Sequence, residues 1–485
     1  MPKGDTVIVL DCGATNIRVI AINSKGKILA AESLPNNTQP DPLFPAYRIW
    51  DVNEIWGKMC LASQKVVNQI KIDRIVGVTV TTFGVDGTLF DKSGKILYPV
   101  ISWQCERTNS IIANLDKYLP LAEIYRESGV FPFSFNTICK LIWFKEQKPE
   151  ILEKSSSFLF MPSIFSYFLT GEMVNDMTMA GTSMLTNLQT RNFSGNIISK
   201  IKLPIEKFGK PVEAGTVTGK INSKAASSTG LPEGTPVVST GHDTQFAVFG
   251  SGAKRNQPVL SSGTWEVLMV RSERFRSGSE QMEVGITTEL DSRPGLYDIG
   301  SQWIASGIIE WARRNLFNDI RENIYEFMIS CAEKVPSGSN GVKIIPKFNE
   351  VYMGEARGQI SGLSMESTRG EIFRAILEAL SKRLAEGVKS LEVAGGFKTE
   401  SILCVGGGSK NRLWNQLRAD STGIPLHIID QKETTVLGAS LFVQAACGNA
   451  SSPEEARSAI DYKTEIIEPR NIPLAGTPPP PLKGG

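Results

Sequence analysis

The chain has 485 residues, which at roughly 100–200 residues per domain favours two large domains. Apolar residues make up 41% and charged residues 21%, so the chain is not disordered as a whole. A formal net charge of +2 and only two histidines exclude a net basic surface for nucleic acid or anionic membrane, and exclude a histidine-rich metal site.

The opening segment MPKGDTVIVLDCG lacks a long apolar stretch with a small-residue cleavage site, so no signal peptide is expected. Residues 6–10, 17–22 and 27–31 predict three short strands, separated by the turns DCGATN and 23–26. In the first turn Asp11 ends a strand, where a carboxylate can hold magnesium through water. Thr15, Asn16 and Arg18 can face a polyphosphate; an ordinary hairpin turn is the other reading. Cys12 is the first of seven widely spaced cysteines without a C-x-x-C. Buried reduced thiols and a cytoplasmic setting are therefore expected.

Residues 51–70 carry helical spacing, and 74–80 predict a buried strand running into TTFGVDG and a return at 88–90. Asp86 there and Trp103 in WQCERT suit a sugar site. The indole would stack on a ring, the carboxylate would bind hydroxyls, and Arg107 would orient that carboxylate. Core packing or a surface salt bridge is the alternative for each. Strand and helix patterns alternate to about residue 250, which gives an α/β domain. Near its end, TGHDTQFAVFG places Asp243 between an apolar strand and a helix start. It is either a helix cap or a general base that takes the proton of an attacking hydroxyl. His242 beside it could hydrogen-bond a sugar hydroxyl.

Residues 251–258 read as a connector. VLSSGTWEVLMV, 259–270, then repeats the opening pattern of strand, small-residue turn and strand, with Gly263 and Thr264 in the turn. Two such turns facing each other would clamp a phosphate chain, the actin-like ATPase arrangement. No G-x-x-x-x-G-K-[ST] occurs, so a P-loop is excluded. Residues 371–393 predict a long helix with Phe373, Ile376, Leu377, Leu380, Leu384, Val388 and Leu391 on one stripe. A strand at 401–405 runs into Gly406-Gly407-Gly408, followed by a helix at 411–421 and a strand at 425–429. Gly407 would let adenosine approach the backbone and Asn411 could bond the base; a plain glycine turn is the alternative. The tail, with Pro478–Pro481 in a row, is expected to be disordered. No run of 18 apolar residues predicts a membrane span.

With these residues in view, the chain resembles the FGGY carbohydrate kinase family from about residue 6 to 446. Two long signatures carry the resemblance. FNTICKLIWFKEQ contributes Phe135, Thr137, Lys140, Trp143 and Glu146; GQISGLSMESTRGEIFRAILEAL contributes Gly362, Ala375 and Glu378. The stretches LDCGATN, TTFGVDG, SFNT, DMTMAGTS, GHDTQFA, LSSGTWE, VGGGS and ETTV narrow it within the family. The resemblance implies an α/β fold of two actin-like (ribonuclease H-like) domains around a ligand cleft. The expected boundaries are 1–250, 251–462 and a tail at 463–485. It also implies an ATP- and Mg2+-dependent kinase acting on carbon 1 of a deoxyketohexose. L-Fuculose is the first expectation, and L-rhamnulose or another ketose the alternative. Asp243 would be the catalytic base and Asp11 would help to hold magnesium. Thr15, Asn16, Arg18 and Thr264 would face the phosphates, and Gly407 and Asn411 adenosine. Asp86, Trp103 and His242 would face the sugar. Thr244 stands where glycerol kinases carry glutamine, which suits a different sugar. Sugar and ATP are the expected partners, with no nucleic acid or membrane and a homo-oligomer left open. A catalytically silent actin-like regulator is the rival of another class.

Overall fold

The structure is a computed structural model that describes residues 4–347, 357–431 and 433–470. Its contacts separate two units within those residues. The first takes 4–254, Arg271–Ile299 and Glu433–Tyr462; the second takes Arg255–Val270, 300–347, 357–431 and 463–470. The expected division at 250/251 followed the linear order of the motifs. In the structure two later segments return to the first unit.

The first unit is built on a six-stranded sheet. Its strands are β1 (Thr6–Cys12), β2 (Asn16–Ile22), β3 (Ile28–Pro35), β4 (Ile75–Thr82), β5 (Val217–Lys220) and β6 (Pro236–His242), in the order β5-β6-β4-β1-β2-β3. β1 runs antiparallel to β2 and parallel to β4, and β4 runs parallel to β6. Every residue of β1 is buried, as expected for a β-branched strand covered on both faces. Successive side chains point to opposite faces. Ile8 and Leu10 pack with Met59 and Val66 of the helix Val52–Val67. Val7 and Val9 pack with Phe246, Phe249, Val436 and Phe442. That helix starts where Asp51 accepts the N–H groups of Asn53 and Glu54 at 2.9 and 3.1 Å.

The second cover explains the return of the chain. Helix Thr434–Ala446 is apolar and largely buried, and it packs on helix Asp243–Gly250 through glycines. A Cβ on Gly438 would lie 3.0 Å from Gly250 N and 2.8 Å from the carbonyl carbon of Phe246. Only the bare backbone allows the two helices so close.

The second unit repeats the motif of a hairpin with a parallel neighbour. Strand β7 (Val259–Ser262) pairs antiparallel with β8 (Trp265–Ser272) and parallel with β9 (Ile402–Val405). β9 pairs parallel with β10 (Leu426–Ile429), which pairs antiparallel with β11 (Thr464–Ile467). Residues 464–467 were expected in the tail; the β-branched run TEII instead extends the sheet. Pro478–Pro481 lies outside the described residues. Helix Arg369–Gly395 opens on a capping box in which Thr368 and Glu371 each bond the other's backbone N–H, at 3.3 and 2.7 Å. None of the seven cysteines forms a disulfide, and five of them are buried. Among the described residues no helix is long and apolar enough to cross a membrane.

Candidate active site

In the first unit β6 delivers His242 and Asp243 at its end. His242 is the N-cap of the following helix, and Asp243 is its first residue. Asp243 is therefore not the capping residue. Its carboxylate sits at the positive end of the helix, where negative charge is favoured. The Thr244 hydroxyl donates to Oδ1 at 3.3 Å, and His242 Nε2 lies 3.4 Å from the same oxygen. Burial raises the Asp243 pKa, and the charge of His242 works against that rise. On its other side His242 Nδ1 lies 3.3 Å from Glu289 Oε2.

Asp11, at the end of β1, is buried, and burial pushes its pKa up to about 6. Asp243 and Glu433 add to the rise, while Arg18 opposes it. Arg18 donates to Asp11 Oδ2 from Nε at 2.9 Å and from Nη2 at 2.5 Å, and to Glu433 Oε2 from Nη1 at 2.6 Å. Its guanidinium thus organises two carboxylates, where the sequence suggested phosphate alone. The three acids repel one another, and a bound cation would relieve that repulsion. Among the described residues no cluster of three or more protein ligands could cage a metal. Magnesium needs no such cage, since it keeps waters and takes one or two carboxylates plus phosphate. The carboxylates of Asp11, Asp243 and Glu433 are the donor type that such an ion takes.

The turn after β1 leaves Thr15 and Asn16 exposed. Buried Asn36 fixes the turn. It donates from Nδ2 to the Gly13 carbonyl and from its backbone N–H to the Thr15 carbonyl, both at 2.8 Å.

Asp86 is fully buried. Its Oδ1 is ion-paired with Lys140, and its Oδ2 accepts Trp50 Nε1–H at 2.7 Å and the Trp103 N–H at 3.1 Å. Burial raises the Asp86 pKa and lowers that of Lys140. Arg107 does not orient this carboxylate. It pairs with Asp41 at 2.8 Å and lies over the rings of Tyr47 and Trp143 at 4.6 and 4.7 Å. Trp103, expected to stack on a sugar ring, is half-buried and meets Phe135 edge-on at 6.1 Å. Its indole N–H is buried without a partner. Val85 is held at φ 65°, a costly conformation for a β-branched residue. Thr137 and Lys140 donate to its carbonyl at 2.8 and 3.2 Å, and Thr182 accepts its N–H at 3.1 Å. Thr137 and Lys140 of the first signature thus clamp the Val85–Asp86 turn, whereas its Glu146 bonds Lys117 and Tyr118. Spacing alone could not assign them that task.

In the second unit the Thr264 turn is exposed and strapped from beneath. Its carbonyl accepts the N–H groups of Ala305 and Gly307 at 3.0 and 3.2 Å. Under it lies a buried network that the sequence did not reveal. Glu266 is ion-paired with Arg418 and accepts Trp303 Nε1–H at 2.8 Å; Arg418 also donates to Ser262 Oγ at 2.6 Å. The triple glycine divides by cause. Gly406 has φ 94°, and a Cβ there would meet Ser262 O at 2.7 Å. On Gly408 a Cβ would overlap the Ser262 side chain. Gly407 is exposed, and a Cβ there would meet nothing within 4 Å. Asn411 caps helix Arg412–Thr422, with Oδ1 accepting the Trp414 N–H at 3.0 Å.

Known proteins are similar to this chain in sequence and in fold. Residues 6–250 match the N-terminal domain model of the FGGY family of carbohydrate kinases, and 259–447 match its C-terminal domain model. The L-fuculokinase of Escherichia coli K12 is 42% identical over 97% of this chain and 98% of its own. The L-fuculokinase of Haemophilus influenzae is 42% identical over 95% and 99%. Among solved structures, a xylulose kinase from Rhodospirillum rubrum superposes with a TM-score of 0.87 at 22% identity, over 96% of this chain and 94% of that one. The α/β fold is the two-domain actin-like one expected from the paired hairpins.

Proposed function

The chain belongs to the FGGY family of carbohydrate kinases, and on that premise we propose that it transfers the terminal phosphoryl group of ATP to the carbon-1 hydroxyl of L-fuculose, giving L-fuculose 1-phosphate and ADP. The observation that carries the chemistry is Asp243. It is a carboxylate at a helix N-terminus, not spent on capping, with His242 and Thr244 both addressing Oδ1. Oδ2 is the oxygen to accept the hydroxyl proton as the sugar oxygen attacks the phosphorus. Phosphoryl transfer asks mainly for such positioning and for charge neutralisation.

Asp11 would hold Mg2+ through water, and the ion would neutralise charge developing on the transferred phosphoryl group. Thr15, Asn16, Arg18 and Thr264 would face the phosphates, and Gly407 and Asn411 adenosine. Asp86 and Trp103 would serve the sugar, and His242 would serve it by addressing the base Asp243. The unpartnered indole N–H of Trp103 supports that placement, while Asp86 would act by fixing the Trp103 backbone. The cytoplasm is the proposed compartment.

A coupled ADP-release assay against L-fuculose, L-rhamnulose, D-ribulose, D-xylulose and glycerol tests the substrate. L-Fuculose should give the highest kcat/KM. A higher value for any other sugar would sink the substrate and leave the family standing.

A further inference from the structure

We propose that Glu289 is a positioning residue for the transfer: it holds His242 as an imidazolium against Asp243 Oδ1, so that Oδ2 alone takes the substrate proton. This rests on Asp243 being the base. The three side chains lie in succession, with 3.3 Å from Glu289 Oε2 to His242 Nδ1, an ion-pair distance outside hydrogen-bond geometry, and 3.4 Å from His242 Nε2 to Asp243 Oδ1. Glu289 is fixed in turn by buried Gln245, whose Nε2 donates to the same Oε2 at 2.7 Å. Gly84 packs close against the ring, since a Cβ there would come within 2.9 Å of Nε2. All three side chains are partly or largely shielded, at 12%, 13% and 31% exposure for Glu289, His242 and Asp243. No proton passes along this line. The imidazole keeps both of its protons, and the sugar proton ends on Asp243.

The titratable groups around the line are Asp11 on the Asp243 side, itself opposed by Glu433 and held by Arg18, and Asp298 on the Glu289 side, whose carboxyl is pushed well up by burial and Asp291. His242 is raised above its ordinary pKa, with burial opposed by Glu289 and Asp243. For Asp243, the lowering by His242 outweighs the direct raising by Glu289. Loss of Glu289 should therefore discharge His242 and move the Asp243 titration upward.

The chain's two histidines make this directly readable. In 15N-histidine-labelled protein, with a His427→Gln sample to assign the second signal, the His242 midpoint is followed against pH without any substrate. Glu289→Gln should lower that midpoint by one pH unit or more, and Glu289→Asp should restore part of it. In turnover, Glu289→Gln should lower kcat at least tenfold, leave the sugar KM within about twofold and shift the acidic limb of kcat to higher pH. An unchanged His242 midpoint, or a loss confined to KM, overturns the proposal. If the midpoint falls as expected but the wild type phosphorylates no sugar tested, the charge relation stands and the kinase reading fails.

Discussion

The triple glycine separates packing from ligand approach, and a pair of alanine variants tests the separation. In Gly408→Ala the new methyl overlaps the Ser262 hydroxyl and comes within 3.0 Å of its Cβ and 3.1 Å of the Trp414 ring. Ser262 cannot simply turn away, because Arg418 donates to its oxygen at 2.6 Å and that oxygen lies 3.1 Å from Glu266. Overpacking such a site costs about 1–3 kcal/mol. At about 2–4 °C per kcal/mol for a domain of this size, Tm should fall by about 2–12 °C. In Gly407→Ala the methyl meets no protein atom within 4 Å and the backbone is not left-handed, so Tm should stay within about 1 °C of wild type. If adenosine packs on that backbone, the methyl should cost about 1–3 kcal/mol of binding, which weakens ADP about 5- to 150-fold. Differential scanning fluorimetry gives the first quantity and titration calorimetry with ADP the second. Wild-type ADP affinity in Gly407→Ala would refute the ligand explanation, and a wild-type Tm in Gly408→Ala would refute the packing one.

Asp243→Asn should lower kcat by about 10²–10⁴-fold while ADP affinity stays near wild type, read by the coupled assay and calorimetry. Turnover within tenfold of wild type would remove Asp243 from its role. Asp11 titrates at about 6 and must be ionised to hold a cation. The apparent Mg2+ requirement should therefore rise as pH falls from 7 to 5, whereas a requirement independent of pH would free Asp11 from the metal. Lys140→Met leaves the Asp86 carboxylate buried without its cation. It should cost about 3–5 kcal/mol in urea unfolding, and adding Asp86→Asn should recover much of that. No recovery in the double variant would mean that Lys140 acts mainly through Val85.

Where the candidate site residues lie in the fold was largely legible, because they sit where a strand ends. Asp11, Thr15, Asp243 and Thr264 lie at or just beyond the ends of apolar strands, and hydrophobic pattern locates such ends. Asn411 was legible as a polar group at a helix start; both of its readings, cap and base contact, are compatible because its oxygen caps and its nitrogen does not. Arg107 shows the limit. It is four residues from Trp103 in the chain, yet the fold turns it to Asp41, a residue with no local signal. Glu289, Glu433 and Arg418 were missed for the same reason. Each meets its partner across tens to hundreds of positions, and nothing in their own neighbourhood marks them.

By itself the sequence determined the local elements, the two hairpin turns, the glycine run and the signatures that carry the family. These depend on interactions between near neighbours, and so they are written in periodicity and turn chemistry. The tertiary structure decided which charges meet. It brought helix Thr434–Ala446 back onto the first unit, and with it Glu433 onto Arg18. It also set Lys140 on Asp86, Arg418 on Glu266 and Glu289 on His242. Such pairings follow from which apolar faces must be buried together. The hydrophobic effect favours burial without naming a partner, and only the packed chain selects one.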